Sequence, residues 1–203
     1  MKKSGTTTRR GFLIGIGTAA AALVALTAGQ SFGVLSALNV FGPRRQDAGP
    51  QSLPVNRTAD QAKVAARALD PSWRLAVIDG AASREYTREQ LLGLAQTDAE
   101  LPIACIEGWS TDASWRGVRL RDLLASMGAP PDAAVRIMSL EPEGHYRVTT
   151  MGPEFAHDPR TLVALEVNGE PLDLDHGYPA RIIAPGRPGV LQTKWLSTIE
   201  VLR

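Results

Sequence analysis

The chain has one cysteine, Cys105, and the residues around it could do chemistry. It is followed by Ile106-Glu107-Gly108-Trp109-Ser110, with Trp115-Arg116-Gly117 close behind. A thiol in the short β-rich run Pro102 to Glu107, which stops at a glycine, is placed to be reached by a ligand, and a soft thiolate suits a transition metal. A single cysteine forms no intramolecular disulfide, and a zinc site built on several thiolates is excluded as well. The plain alternative is a buried small hydrophobe. A second cluster is Asp175-His176-Gly177-Tyr178-Pro179-Ala180-Arg181, where an imidazole and a guanidinium share adjoining backbone. The third joins Gly186-Arg187-Pro188-Gly189 to Gln192-Thr193-Lys194-Trp195. Arg181 as a bidentate fork and Lys194 as a point charge, beside a glycine-rich loop with free N–H donors, make a phosphate cradle. Taken singly, each of these charges also reads as part of a solvated face.

These residues must be positioned by strands more than by helices. Trp73 to Asp79 alternates and ends at Gly80, as a strand before a turn does. Thr87 with Gln90 predicts a capping box opening a short helix through Leu91, Leu92 and Leu94. Arg119 to Met127 carries Leu120, Leu123 and Leu124 at helical spacing and stops at Gly128. Val135 to Leu140, Tyr146 to Thr150, Leu162 to Val167, Arg181 to Ala184 and Thr198 to Leu202 read as strands. Asn168-Gly169 is the strongest hairpin signal. Strands outnumber helices without regular alternation, so the expected class is α+β with mixed or antiparallel sheet.

Composition bounds the partners. The formal net charge of +1 argues against a nucleic-acid partner, which calls for Lys and Arg without matching acids. From Gly11 to Pro43 there is no charged residue, after a basic start carrying Lys2, Lys3, Arg9 and Arg10. That run exceeds the roughly 20 residues needed to span a bilayer, so its length favours a retained hydrophobic helix over a cleaved signal. Thr8-Arg9-Arg10-Gly11-Phe12-Leu13-Ile14 resembles a twin-arginine export signal, although a positive-inside flank would orient the helix identically. The expected organisation is a signal or anchor over 1–43, a linker over 44–60 and one domain over 61–203, outside the cytoplasm. Export of a folded chain suits a domain that receives a cofactor first.

Taken in order, the clusters form a longer pattern. It runs from Cys-Ile-Glu-Gly-Trp-Ser and Trp-x-Gly-Val-x-Leu-x-Asp-Leu-Leu (105–124) through Glu-Val-Asn-Gly-Glu-Pro-Leu (166–172) and His-Gly-Tyr-Pro-x-Arg (176–181) to Ala-Pro-Gly (184–186) and Lys-Trp-Leu (194–196). It resembles the sulfite oxidase-like molybdopterin oxidoreductases, and its cysteine segment is most similar to the periplasmic methionine sulfoxide reductase branch. The resemblance implies that family's fold, with mixed sheets and few short helices. It also implies a molybdenum cofactor carrying one pyranopterin. By position, Cys105 matches the metal-ligating cysteine, and Glu107 an acid near the metal or in the substrate pocket. His176 and Arg181 match a pair contacting the pterin and its phosphate, and Gln192, Thr193 and Lys194 a segment closing over the same group. Asn56 matches an early pterin-contacting asparagine, and Ser139 a threonine position on a central strand.

The implied activity is oxygen-atom transfer on a small substrate such as a sulfoxide or N-oxide. Sulfite oxidases carry a tyrosine in the strand before Asn-Gly, whereas this chain has Ala164-Leu165-Glu166, which counts against sulfite. No Cys-x-x-Cys-His motif is present, so electrons are expected to pass to or from another protein, a membrane cytochrome or quinone-linked partner beside the anchor. Two rival readings are a thiol hydrolase pairing Cys105 with His176 as base, and a non-catalytic exported module of the same fold.

Overall fold

The alternation in Trp73–Asp79 becomes strand β1 (Leu75–Asp79), with Leu75 and Val77 turned fully inward. The structure, a computed structural model, describes residues 49–104 and 110–203, and before them Thr18 alone. The signal and anchor expected over 1–43, and residues 105–109 with Cys105 and Glu107, lie outside the described residues.

One sheet joins β1 to β2 (Ala82–Tyr86) on one side and to β10 (Leu196–Leu202) on the other, continuing to β5 (Ala134–Ser139) and β6 (Val148–Met151). β1 and β10 run parallel and the other pairs antiparallel, so the sheet is mixed. The second sheet is antiparallel: β3 (Gln96–Ala104), β4 (Ser110–Arg119), β7 (Leu162–Val167) and β8 (Glu170–Pro171), with β9 (Arg181–Ile183) also paired to β7. Asn168-Gly169 makes the β7–β8 turn, with φ of 51° and 81°, as a two-residue hairpin of this twist requires.

The described helices are short: α1 (Ala65–Ala68), α2 (Arg88–Leu92), α3 (Leu120–Ser126) and α4 (Pro153–Ala156). At α2 the capping box forms in full, with Thr87 Oγ1 accepting from Gln90 N and Gln90 Oε1 accepting from Thr87 N. α3 buries Leu120, Leu123 and Leu124. Mixed sheets with few short helices are therefore what the residues build.

β7 is wedged between two cores. Val163 and Leu165 face the larger one with Leu75, Leu124, Ile137 and Ile199, whereas Leu162, Ala164 and Val167 face the other with Leu101, Ile103 and Trp115. A strand covered on both faces needs apolar side chains on both, so it reads as a continuous apolar run.

Three elements differ from expectation. β2 shows no alternation because Ala82 to Glu85 are all exposed. β4 is a long strand that the sequence reading did not assign, since its polar outward residues Ser110, Asp112 and Arg116 mask the inward Ala113 and Trp115. The strand expected from Tyr146 begins at Val148. The segment expected as linker is also packed from Pro50 onward: Leu53 is 2% exposed in the second core, and Ala59 joins Ala62, Val64 and Ala68 of the expected domain around Trp195. Its few large side chains gave no periodic signal. If that segment belongs to the domain, Leu53→Ala should cost about 2–5 kcal/mol through transfer and cavity terms. Urea unfolding would register this as a lower midpoint at unchanged slope.

Candidate functional site

β9 and the turn before it carry the second cluster. Asp173 caps the 3-10 turn Leu174–His176 by accepting from Asp175 N, and the chain then reverses through Gly177 and a cis Tyr178-Pro179 peptide into Arg181. Gly177 has a φ of 109°, and a Cβ there would stand 3.1 Å from the Cβ atoms of both Arg181 and Lys194. Glycine is what lets the two cationic side chains flank this turn.

Arg181 is 4% exposed. Its guanidinium donates to the carbonyls of His176 at 3.0 Å and Gln192 at 3.4 Å, and lies 4.9 Å over the Trp115 ring. Lys194 is held differently: Nζ donates to Arg57 O at 2.6 Å and Asp175 O at 2.8 Å, and stands 4.2 Å over Trp195. Trp195 adopts a φ of 52°, unusual for a bulky residue. It is fixed by full burial, by Nε1 donating to Leu174 O, and by its carbonyl accepting from Leu140 N. Among the described residues no carboxylate lies within ion-pair distance of Arg181 or Lys194.

Burial has electrostatic consequences. Desolvation pulls the Arg181 pKa down to about 10. Lys194 keeps some surface open to the cavity, yet desolvation, then the charge of Arg181, brings its pKa to about 7. The His176 pKa is also lowered, chiefly by burial. Its Nε2 lies 2.7 Å from Pro50 O, which can only accept, so the proton sits on Nε2 and Nδ1 is left as an acceptor.

His176, Arg181 and Lys194 line one cavity together with Asn56, Gln192 and Thr193. Six of the residues singled out in the sequence thus converge from the segment before α1, the 174–181 turn and the 186–194 loop. Not all of them offer free polar atoms. The Gln192 amide is used on both sides, accepting from Ala184 N and donating to Arg187 O, so it braces the loop. The Thr193 hydroxyl pairs with that of Thr149 at 3.0 Å. Ser139 does not line the cavity: β5 sets it behind the wall, where Oγ donates to Lys194 O and accepts from Glu141 N.

The sequence reading passed over Arg57, Glu141 and Tyr146, which also line the cavity. Arg57 Nη1 lies 2.6 Å from Glu141 Oε2 as an ion pair without a well-aligned hydrogen bond. Burial raises the Glu141 pKa, against the opposing charges of Arg57 and Lys194. The available signals were slight: Arg57 follows Asn56, and Glu141 opens the polar stretch Glu-Pro-Glu-Gly-His after a strand.

The wall also reaches the end of β3. Ile103 lines the cavity, and Gly189 packs so tightly on Ala104 that a Cβ would come within 2.8 Å of Ala104 O. Residues 105–109 connect β3 to β4.

Fold and cavity together define a mixed-sheet protein with a cationic site for an anionic ligand. A group bearing a phosphate fits these residues, because buried Arg181 and half-buried Lys194 donate to carbonyls and have no carboxylate within ion-pair distance among the described residues. Residues 61–203 match the family described as the oxidoreductase molybdopterin binding domain, and the chain belongs to that family. The family is that of the sulfite oxidase-like molybdopterin oxidoreductases, whose cofactor carries molybdenum. The chain is 38% identical over 96 residues to the mitochondrial sulfite oxidase of Drosophila melanogaster, covering 44% of this chain and 17% of that protein. It is 39% identical over 101 residues to the NADPH nitrate reductase of Fusarium oxysporum, covering 46% of this chain and 11% of that one. The matches thus span less than a fifth of these relatives' length. The sulfane dehydrogenase SoxCD of Paracoccus pantotrophus shares the fold, with a TM-score of 0.56 and 24% identity over 64% of this chain and 38% of that one.

The lowered Lys194 pKa makes anion binding depend on pH. Between about 7 and the unfolded value near 10.5 the unfolded chain binds this proton and the ligand-free fold does not. The Lys194 contribution to stability therefore rises with pH across that window. Sulfate, which does not titrate there, needs the ammonium form. Thermal shifts should show sulfate stabilising the ligand-free protein below about pH 7 and progressively less above it. Lys194→Met should abolish that dependence.

Proposed function

We propose that this chain transfers oxygen atoms to or from a small substrate, a sulfoxide, N-oxide or similar compound, with Cys105 as the protein ligand to molybdenum. The observation that carries this reading is the convergence of Arg181, Lys194 and His176 on one cavity whose wall includes Ile103 and touches Ala104, the residue covalently before Cys105. When bound, the cofactor supplies two-electron oxygen-atom transfer at its metal.

The chain's own residues supply the rest. Arg181 and Lys194 hold the phosphate of the single pyranopterin, and discharging them on that anion relieves the cost of their burial. His176, its Nε2 proton committed to Pro50 O, presents Nδ1 as an acceptor to a pterin N–H. Asn56 adds a polar side chain, while Gln192 and Thr193 keep the covering loop in place. Glu107 is assigned to the neighbourhood of the metal, where its carboxyl group would deliver protons consumed when a sulfoxide is reduced by two electrons to sulfide and water.

The relatives named for sulfite and for nitrate act on different oxyanions, so likeness to them leaves the substrate open. Against sulfite stands β7, where the family's sulfite oxidases carry a tyrosine and this chain places Ala164 and Leu165, both fully buried. The basic and apolar N-terminus supports an exported domain anchored in the membrane, its electrons exchanged with a cytochrome or quinone-linked protein in that membrane.

Protein made in a host that synthesises the cofactor should contain one molybdenum and one pterin per chain. Cys105→Ser should lose most of the metal, and Arg181→Ala most of the pterin. Elemental analysis with pterin release after denaturation tests this, and wild-type protein free of both would end the proposal.

A further inference from the structure

We propose that Glu141 is a specificity residue: by holding the Arg57 guanidinium in an ion pair inside the cavity, it withholds that cation from oxyanions and leaves the site to neutral oxo-substrates. This deepens the functional reading above and rests on it.

The charges around the cavity decide the point. Its described lining carries three cations, Arg57, Arg181 and Lys194, and one carboxylate, Glu141. A phosphate monoester carries about two negative charges near neutral pH, which Arg181 and Lys194 match. Arg57 is then the remaining cation, and Glu141 is the only carboxylate within ion-pair distance of it among the described residues. An oxyanion reaching the loaded cavity finds that cation neutralised and must also approach a carboxylate. A sulfoxide or N-oxide, with no net charge, bears no such penalty.

The pair is built in. Lys194 Nζ holds the Arg57 carbonyl at 2.6 Å, so the same ammonium that serves the phosphate fixes the backbone of residue 57. Gly144 lies against the pair, where a Cβ would stand 3.3 Å from Arg57 Nη1 and 3.4 Å from Glu141 Oε2. The loop carrying Glu141 is pinned on both sides, by Arg67 donating to Leu140 O and by the exposed pair Lys63–Glu143. The Glu141 side chain is 10% exposed and that of Arg57 43%, so the carboxylate is the fixed partner and the guanidinium the one that can turn to a ligand once released.

Sulfate is the probe, titrated calorimetrically into the full-length, molybdenum-loaded protein and used as an inhibitor of sulfoxide turnover. Glu141→Gln should bind sulfate tenfold or more tightly than wild type, the order expected for about one added charge-assisted hydrogen bond. Glu141→Asp, which keeps the charge, should fall back towards wild type. Adding Arg57→Gln to Glu141→Gln should erase the gain, and Glu143→Gln on the same loop should not produce it. A purely structural role for Glu141 would weaken binding, never tighten it. Unchanged sulfate affinity in Glu141→Gln, or a gain that survives loss of Arg57, overturns the proposal; Glu141→Ala stands in should Glu141→Gln not fold. Absence of molybdenum from wild-type protein would instead refute the functional reading, and the sulfate contrast between variants would still report on Arg57.

Discussion

Two positive charges stand in the wall of one cavity, donating to carbonyl oxygens, with no carboxylate within ion-pair distance among the described residues. Arg181 is buried and stacked on Trp115, and the Lys194 ammonium is enclosed by the carbonyls of Arg57 and Asp175. Main-chain dipoles satisfy their N–H groups but do not cancel the charge, and the depressed pKa values of both residues express that deficit. A ligand carrying a phosphate supplies what is missing. The ligand-free fold is thereby less stable than it would be with those charges compensated, and ligand binding and folding stability are coupled through the same two side chains.

Much of the surrounding structure serves to hold these charges in place. Gly177 removes the Cβ that would keep Arg181 and Lys194 apart, and the buried Trp195 locks an unusual backbone conformation immediately after Lys194. Ser139 reaches from β5 to the Lys194 carbonyl, and the Gln192 amide ties the end of β9 to the loop that precedes Lys194. These residues position the two cations, and Gln192 and Trp195 also line the cavity. The segment before α1 completes the arrangement, since Pro50 fixes the His176 ring and the Arg57 carbonyl receives Lys194. A stretch with few large side chains is therefore part of the site.

The third cation has a different character. Arg57 is paired where Arg181 and Lys194 are not, and its partner Glu141 is a buried acid with a raised pKa. One cavity thus combines an uncompensated region suited to an anion with a neutralised region that is not. Such a division fits a site that must grip the anionic end of a cofactor while handling a substrate of another charge type.

Sequence by itself determined the parts of this protein that local physics controls. The capping box at Thr87 and Gln90, the leucine spacing of α3, the Asn168-Gly169 turn and the apolar run of β7 each depend on neighbours a few residues away, and each formed where the residues indicated. The family pattern likewise pointed to Asn56, His176, Arg181, Gln192, Thr193 and Lys194, all of which border one cavity. Only the folded structure shows that the Gln192 amide is consumed by the main chain of Ala184 and Arg187, and that Ser139, bonded to the Lys194 carbonyl, sits behind the wall. It also drew in Arg57 and Glu141, more than 80 residues apart in the chain, and packed Leu53 into a core. An ion pair of that separation has no periodicity, and its partners become neighbours only once the sheets have folded.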